Sequence, residues 1–210
     1  VRRLQFIQYK MKIIAVSQRV EISKYKEIRP QLDINFFNFI VSAGYIPVPI
    51  PYYLYNKKKS NFFLKKWLTK IKPHGIVLSG GENIGTNKFR DTAEYFLINF
   101  SKKNHIPVLG ICRGMQILSK YFGSKLFKVK NHVNKNHLIK SNDKKIIVNS
   151  FHNLAIKSCP KNFKIKFKAE DGVIESIYST NSRMEGWMWH PERYKKFKSF
   201  DIKSFKHLFR

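Results

Sequence analysis

One of the two cysteines in the chain stands between two glycines at the end of an apolar run, "VLGICRGMQ", residues 108–116. Gly-x-Cys-x-Gly at a strand-to-helix turn is the nucleophile-elbow pattern with sulfur in place of oxygen. Gly110 and Gly114 remove Cβ atoms that would clash in so tight a turn. The thiol of Cys112 is then presented at the end of a strand, above a helix N-terminus that favours a thiolate. The backbone N–H of Arg113 is free to stabilise an oxyanion. A small buried core cysteine would also fit, and the pentapeptide alone does not separate the two. Cys159, in "KSCPKN", has no glycine turn before it and is read as incidental.

A catalytic thiol needs a base, and the base needs a group to orient it. Among seven histidines, His190 ends the strand-like run of "WMWHPER". Pro191 biases it toward an extended backbone. Residues i and i+2 of an extended segment face one side, so His190 and Glu192 are expected to point together. The imidazole would take the thiol proton while the carboxylate fixes its tautomer. A surface His-x-Glu turn is the plainer alternative. His74, His105 and His207 are assigned solvent or structural places. His132 and His137 lie in the polar stretch "NHVNKNH". Their spacing does not align two ligands on a helix face, and no cysteine or carboxylate cluster accompanies them. No metal site is expected there. A second glycine turn, "VLSGGENIG", sets Gly80 and Gly81 at another strand end, where open parallel sheets bind ligands. An N–H here would complete an oxyanion hole. The turn lacks the Gly-Lys-Ser/Thr of a phosphate loop.

The elements that position these groups alternate in the first half. "KIIAVS", "YIPVPIP", "HGIVLSGG" and "IPVLGI" read as extended segments. Helices are predicted from Pro30 to Ala43, from Ser60, from Arg90 and after Cys112. Pro30 suits a first turn and Gly44 a stop. Asp91 reads as an N-cap, with Glu94 three residues on as in a capping box. The alternation predicts an α/β fold, a mostly parallel sheet with helices on both faces. In the second half "KIIVNS", "FKIKFKAE", "VIESIYST" and "MEGWMWH" read as short strands of an antiparallel extension. A closing helix is predicted after about residue 196. Residues 11–210 read as one domain and residues 1–10 as an N-terminal extension.

Composition narrows the function. No apolar run approaches the ~20 residues of a membrane span. The basic start lacks a small-residue cleavage site and is not read as a secretory signal. Two cysteines do not make a disulfide framework, and a functional thiol favours a reducing, cytoplasmic setting. The formal charge of +28 invites a nucleic-acid reading. Against it, nine of the 41 basic residues are arginine and the lysines are spread along the chain, not gathered in a stripe. The field would still attract anionic small molecules.

Together the motifs "SGGE", "RDTAE", "PVLGICRGMQIL", "VNSFHN" and "WHPE" resemble, in order and spacing, the class I (triad-type) glutamine amidotransferases. The resemblance runs from Met11 nearly to the end. It implies a flavodoxin-like fold and a triad of Cys112, His190 and Glu192. It implies an oxyanion hole from the N–H groups of Gly81 and Arg113. A glutamyl moiety would be held by Gly80, Gln116 and the Ser150–Phe151 backbone, with His152 lining the pocket without being the base. "RDTAE" and "NSFH" resemble the free-standing γ-glutamyl hydrolase branch more than synthase-bound proteins. The chain departs from that branch after the glycines. Glu82 stands where an Asp is usual, and only "NIGTNKF" separates it from Arg90. A lost loop implies a changed leaving-group pocket. Hydrolysis of γ-glutamyl-polyamines is therefore not expected.

The implied partner is a small-molecule γ-glutamyl amide with a nucleotide-linked leaving group, met by lysines at the pocket mouth. No cofactor, no nucleic acid and no membrane partner is expected, and the oligomeric state is open. Two alternatives stand beside this hydrolase. One is a glutaminase subunit delivering ammonia to a synthetase. The other is a non-catalytic, basic nucleic-acid-binding domain on the same fold.

Overall fold

Short apolar runs separated by helices become neighbouring strands of one sheet. The computed structural model describes residues 11–54, 60–142 and 144–210. The expected extension at residues 1–10 lies outside the described residues. In chain order the elements begin with β1 (Ile13–Val16), β2 (Arg19–Ile22), β3 (Ile28–Gln31), α1 (Ile34–Ser42) and β4 (Ile46–Pro49). Next come α2 (Ser60–Ile71), β5 (Gly75–Leu78), α3 (Lys88–Asn104), β6 (Val108–Ile111) and α4 (Arg113–Tyr121). The second half holds β7 (Leu126–Lys128), β8 (Val133–Lys140), β9 (Lys145–Phe151), β10 (Leu154–Ile156), β11 (Phe163–Ala169), β12 (Ile174–Ser179), β13 (Met184–Trp187) and α5 (Ser199–Leu208).

The main sheet runs β4-β1-β5-β6-β13-β12-β11-β8-β9. Its first five strands are parallel. The remaining pairings are antiparallel. This is the predicted α/β sheet with its antiparallel extension. Period-2 alternation sorts the strands' side chains to two faces. Ala15, Ile76, Leu78 and Val108 pack with Leu64, Leu97, Ile98 and Leu118 of α2, α3 and α4. Ile14, Val16, Val77 and Leu109 pack with Phe39, Ile40, Phe205 and Leu208 of α1 and α5. Each such buried aliphatic side chain contributes about 1.5–3 kcal/mol. Among the described residues no helix is long and apolar enough to cross a membrane.

Three boundaries differ from expectation. Pro30 lies in β3, paired with Val20 in a separate two-stranded hairpin, and does not start a helix. Helix α1 begins later, because the Asp33 carboxylate accepts from Asn35 N–H at 2.9 Å and caps it there. Helix α3 begins before Arg90, since the Asn87 side chain accepts the Arg90 N–H at 3.0 Å. Asp91 and Glu94 are thereby freed from capping. The segment "MEGW" also leaves the antiparallel group on one side, because β13 pairs in parallel with β6.

What Asp91 and Glu94 do instead is hold cations. Glu94 is fully buried, as is Arg90. Glu94 Oε1 accepts from Ser17 Oγ at 2.7 Å and from Arg90 Nε at 3.0 Å. Its Oε2 accepts from Arg113, whose other guanidinium nitrogen donates to Asp91. Arg90 donates further to Glu82 Oε2 at 2.7 Å, Ser79 O at 2.9 Å and Gly80 O at 3.0 Å. Burial works against the Glu94 charge, but Arg90 and Arg113 hold its carboxyl below the usual carboxylate range. A depressed carboxyl contributes stability above its unfolded value and loses it as pH falls through the folded one. Glu94→Gln leaves two guanidinium groups short of a counter-charge. Urea denaturation is expected to register a loss of about 3–5 kcal/mol, against about 1 kcal/mol for removing the α1 cap by Asp33→Ala. Equal losses would show that the buried network is no more than a local contact.

Candidate active site

The elbow is built as its glycines require. Cys112 sits between β6 and α4 with φ +51° and ψ −107°, a left-handed backbone rare outside glycine. Such strain costs on the order of 1–3 kcal/mol and persists only where neighbours enforce it. A Cβ on Gly110 would lie 2.4 Å from the Gly114 carbonyl oxygen, and one on Gly114 would lie 2.0 Å from that of Leu78. The Cys112 N–H donates to Trp187 O at 2.7 Å, so the β6–β13 pairing reaches Cys112 itself. Its side chain is almost fully buried, at 7% exposure.

His190 follows β13 and is clamped through its backbone. Asn149 of β9 donates from Nδ2 to His190 O at 2.8 Å and accepts the His190 N–H on Oδ1 at 2.8 Å. Tyr194 Oη accepts the Asn149 N–H at 2.9 Å. The imidazole Nδ1–H donates to Glu192 Oε1 at 2.6 Å. The predicted pair therefore forms, but not through an extended segment. Residues Pro191–Arg193 make a 3₁₀ turn that folds the carboxylate back onto the ring. Cys112 and His190 line the wall of one cavity. Burial pulls the His190 pKa down, but Glu192 and Cys112 outweigh it and push the value up to about 9.

The second glycine turn closes over this pair. A Cβ on Gly80 would come 2.8 Å from His190 Cε1, so the absent side chain leaves the seat for the ring. Gly81 has φ +135°, and a Cβ there would meet Arg90 Nη1 at 2.7 Å. Arg113 opens α4, so its N–H has no acceptor within the helix.

A cavity of about 320 Å³ is lined by Cys112, His190, Gly81, Phe151, Arg19 and Arg193. Among the described residues no lysine lines it, whereas lysines are expected at its mouth. Arginines take that place, and Arg193 lies over the Phe151 ring at 4.4 Å. Lysine charge is spread over solvated faces, whereas a guanidinium can stack on an aromatic ring. A neighbouring cavity of about 630 Å³ shares Glu21 and Glu82 with the first and is bounded by Tyr52 and Phe89.

The side chains of Gln116, Ser150 and His152 bond within the fold, which leaves the role expected of the Ser150–Phe151 backbone untouched. Gln116 Nε2 donates to Leu154 O at 2.9 Å. Ser150 Oγ donates to His132 O at 2.6 Å. His152 donates from Nδ1 to Leu154 O at 3.1 Å and turns Nε2 toward Glu175. Of that group only Phe151 lines the cavity. The ground for expecting no metal at His132 and His137 also fails, since Glu175 of β12 lies between them. Sequence reasoning does not single out Asn149, Arg19 or Arg193. Asn149 lies inside the "VNSFHN" motif, but its use as a backbone clamp depends on a strand far along the chain.

A raised histidine value stabilises the fold below the ordinary value of about 6.5, and that contribution is lost as pH rises through the folded value. By ¹⁵N NMR, His190 is expected to lose its proton near pH 9. Glu192→Gln should lower that midpoint by about one unit or more. An unmoved midpoint would remove the carboxylate as its cause.

The chain matches the glutamine amidotransferase class-I family over residues 36–202. It is 32% identical over 190 residues to the γ-glutamyl-CDP-amidate hydrolase of Campylobacter jejuni, covering 86% of this chain and 90% of that protein. It is 30% identical over 134 residues to a glutamine-hydrolysing GMP synthase subunit of Pyrococcus abyssi, covering 58% of this chain and 68% of that one. A solved glutamine amidotransferase from Thermotoga maritima superposes with a TM-score of 0.65 at 18% identity, over 93% of this chain and 83% of that chain.

Proposed function

The chain belongs to the class-I glutamine amidotransferase family, and from that premise we propose a free-standing cysteine hydrolase of a γ-glutamyl amide, γ-glutamyl-CDP-amidate. The observation that carries this reading is the buried pair of Glu192 and His190, joined at 2.6 Å, with the ring and Cys112 lining one cavity. Residues 11–210 form its catalytic domain in this reading.

In this reading the Cys112 thiolate attacks the γ-carbonyl. The N–H groups of Gly81 and Arg113 stabilise the oxyanion of the tetrahedral intermediate. His190 passes its proton to the leaving nitrogen, and a γ-glutamyl thioester remains. Water, deprotonated by His190, cleaves the thioester and releases glutamate. Glu192 holds the ring and stabilises its charge throughout. The leaving group would be cytidine diphosphoramidate, for capsule polysaccharide modification. Arg19 and Arg193 at the cavity wall suit a pyrophosphate, which guanidinium forks bind bidentately. The near full-length likeness to the C. jejuni hydrolase supports the same substrate. Ordinary thiol chemistry suffices for each of these steps.

The likeness to a GMP synthase subunit favours a second reading, a glutaminase that delivers ammonia to a synthetase. Such a glutaminase would be nearly inert alone, whereas a hydrolase releases glutamate as a purified chain.

Cys112→Ala is expected to keep the fold and lose turnover by several powers of ten, measured as glutamate release. His190→Ala should be nearly as severe. Glu192→Gln should be milder, because it orients a proton carrier and carries no proton itself. Activity of Cys112→Ala within tenfold of the wild type would end the thioester mechanism.

Substrate preference separates the two readings. kcat/KM for γ-glutamyl-CDP-amidate should exceed that for glutamine and for γ-glutamyl-polyamines by roughly a hundredfold, the worth of two or three partly exposed charged contacts. The margin should narrow in high salt, which screens such contacts over about 10 Å at 0.1 M. Equal values for the nucleotide substrate and glutamine would leave only the family-level activity.

A further inference from the structure

Outside the cavity just described, five buried polar atoms converge without a hydrogen-bond partner among the described residues. They are His132 Nδ1, His137 Nε2, His152 Nε2 and both carboxylate oxygens of Glu175. Glu175 is fully buried, and His132 and His152 are nearly so. The ligand atoms of His132, His137 and Glu175 lie within 4.8 Å of one another. Glu175 Oε1 stands 3.3 Å from both His132 Nδ1 and His152 Nε2, and Oε2 stands 3.5 Å from His137 Nε2.

These separations have a chemical meaning. A charge-assisted hydrogen bond would close to about 2.7–2.9 Å. The edge of a tetrahedron with metal–ligand bonds of about 2.0–2.1 Å is about 3.3–3.4 Å. The outer nitrogens of two rings are already engaged. His132 Nε2 donates to Asp171 Oδ2 at 2.9 Å, and His152 Nδ1 donates to Leu154 O at 3.1 Å. With those tautomers the inner nitrogens carry lone pairs, and both lone pairs face a carboxylate. Acceptor against acceptor in a buried space calls for a cation. A histidine that ligates a metal commonly donates its other N–H to a carboxylate or backbone carbonyl, which is the arrangement on both rings.

We propose that His132, His137, His152 and Glu175 hold a divalent cation of the zinc class. The ligand set is rich in nitrogen, which suits Zn²⁺ and not Mg²⁺ or Ca²⁺. Four protein ligands make a closed, structural site. The ion would brace the strand behind the catalytic cavity. The His132 carbonyl accepts from Ser150 Oγ at 2.6 Å and from His152 N–H at 3.0 Å, on either side of the cavity residue Phe151. The Glu175 carbonyl accepts from Met188 N–H at 2.8 Å, two residues before His190. The site rests on its own geometry and not on the proposed substrate.

The test uses the full chain carrying Cys112→Ser, so that no catalytic thiolate contributes, after removal of metal with a chelator. Titration with Co²⁺ should give one ion per chain, the visible bands of four-coordinate cobalt without sulfur charge transfer, and displacement by Zn²⁺. His137→Gln and Glu175→Gln should each weaken binding by about tenfold or more, with folding checked by circular dichroism. His137 is partly exposed, so His137→Gln decides the matter if Glu175→Gln does not fold. Three results would overturn the proposal: no stoichiometric binding, affinity unchanged in His137→Gln, or a sulfur charge-transfer band that assigns the ion to Cys159.

Discussion

The Glu94 carboxylate, removed from water, is the constraint on which the active site depends. It joins three parts of the chain that have no covalent reason to meet. Ser17 brings the end of β1, Arg90 brings the first turn of α3, and Arg113 brings the start of α4. Arg90 then grips the carbonyls of Ser79 and Gly80. Both turns that would supply oxyanion donors are thus tied to one ion. A buried ion pair is seldom a net source of stability against an apolar replacement, because desolvation offsets its attraction. Its value here is positional. The network is either complete or strongly unfavourable, so the two turns have little freedom to drift apart.

A second constraint is topological. β13 is the strand where the sheet changes from parallel to antiparallel. Its register sets Trp187 beside Ile111, and the following residues continue alongside Cys112. His190 is therefore brought toward Cys112 by strand pairing, without a flexible loop. Behind it Trp187 and Trp189 stack at 5.3 Å, and Asp201 of α5 accepts from Trp189 Nε1 at 3.0 Å. Asn149 reaches in from β9 on the far edge of the sheet. The antiparallel extension thus contributes the backbone clamp on a histidine that follows a strand of the parallel half.

What can be read from sequence follows from how local each cause is. The Cys112 elbow is legible because its demands fall within five residues: two glycines, a strand before and a helix after. His190 and Glu192 are legible as a pair, though the turn that joins them is not, since an extended segment and a 3₁₀ turn both bring i and i+2 into reach. Asp91 and Glu94 read as caps because capping is the local use of such residues. Their actual partner, Arg113, lies a strand away. The His132, His137 and Glu175 cluster is illegible for the same reason. Its carboxylate sits on β12, separated from the histidines by intervening strands and their turns.

The left-handed backbone at Cys112 bears on how this protein is maintained over generations. Any side chain there is held against its own preference, and only a residue without one would rest easily. Most substitutions that raise stability are neutral to function, but here the two pull in opposite directions. Glycine at position 112 would rest there without that penalty, so the cysteine is held at a cost in folding stability.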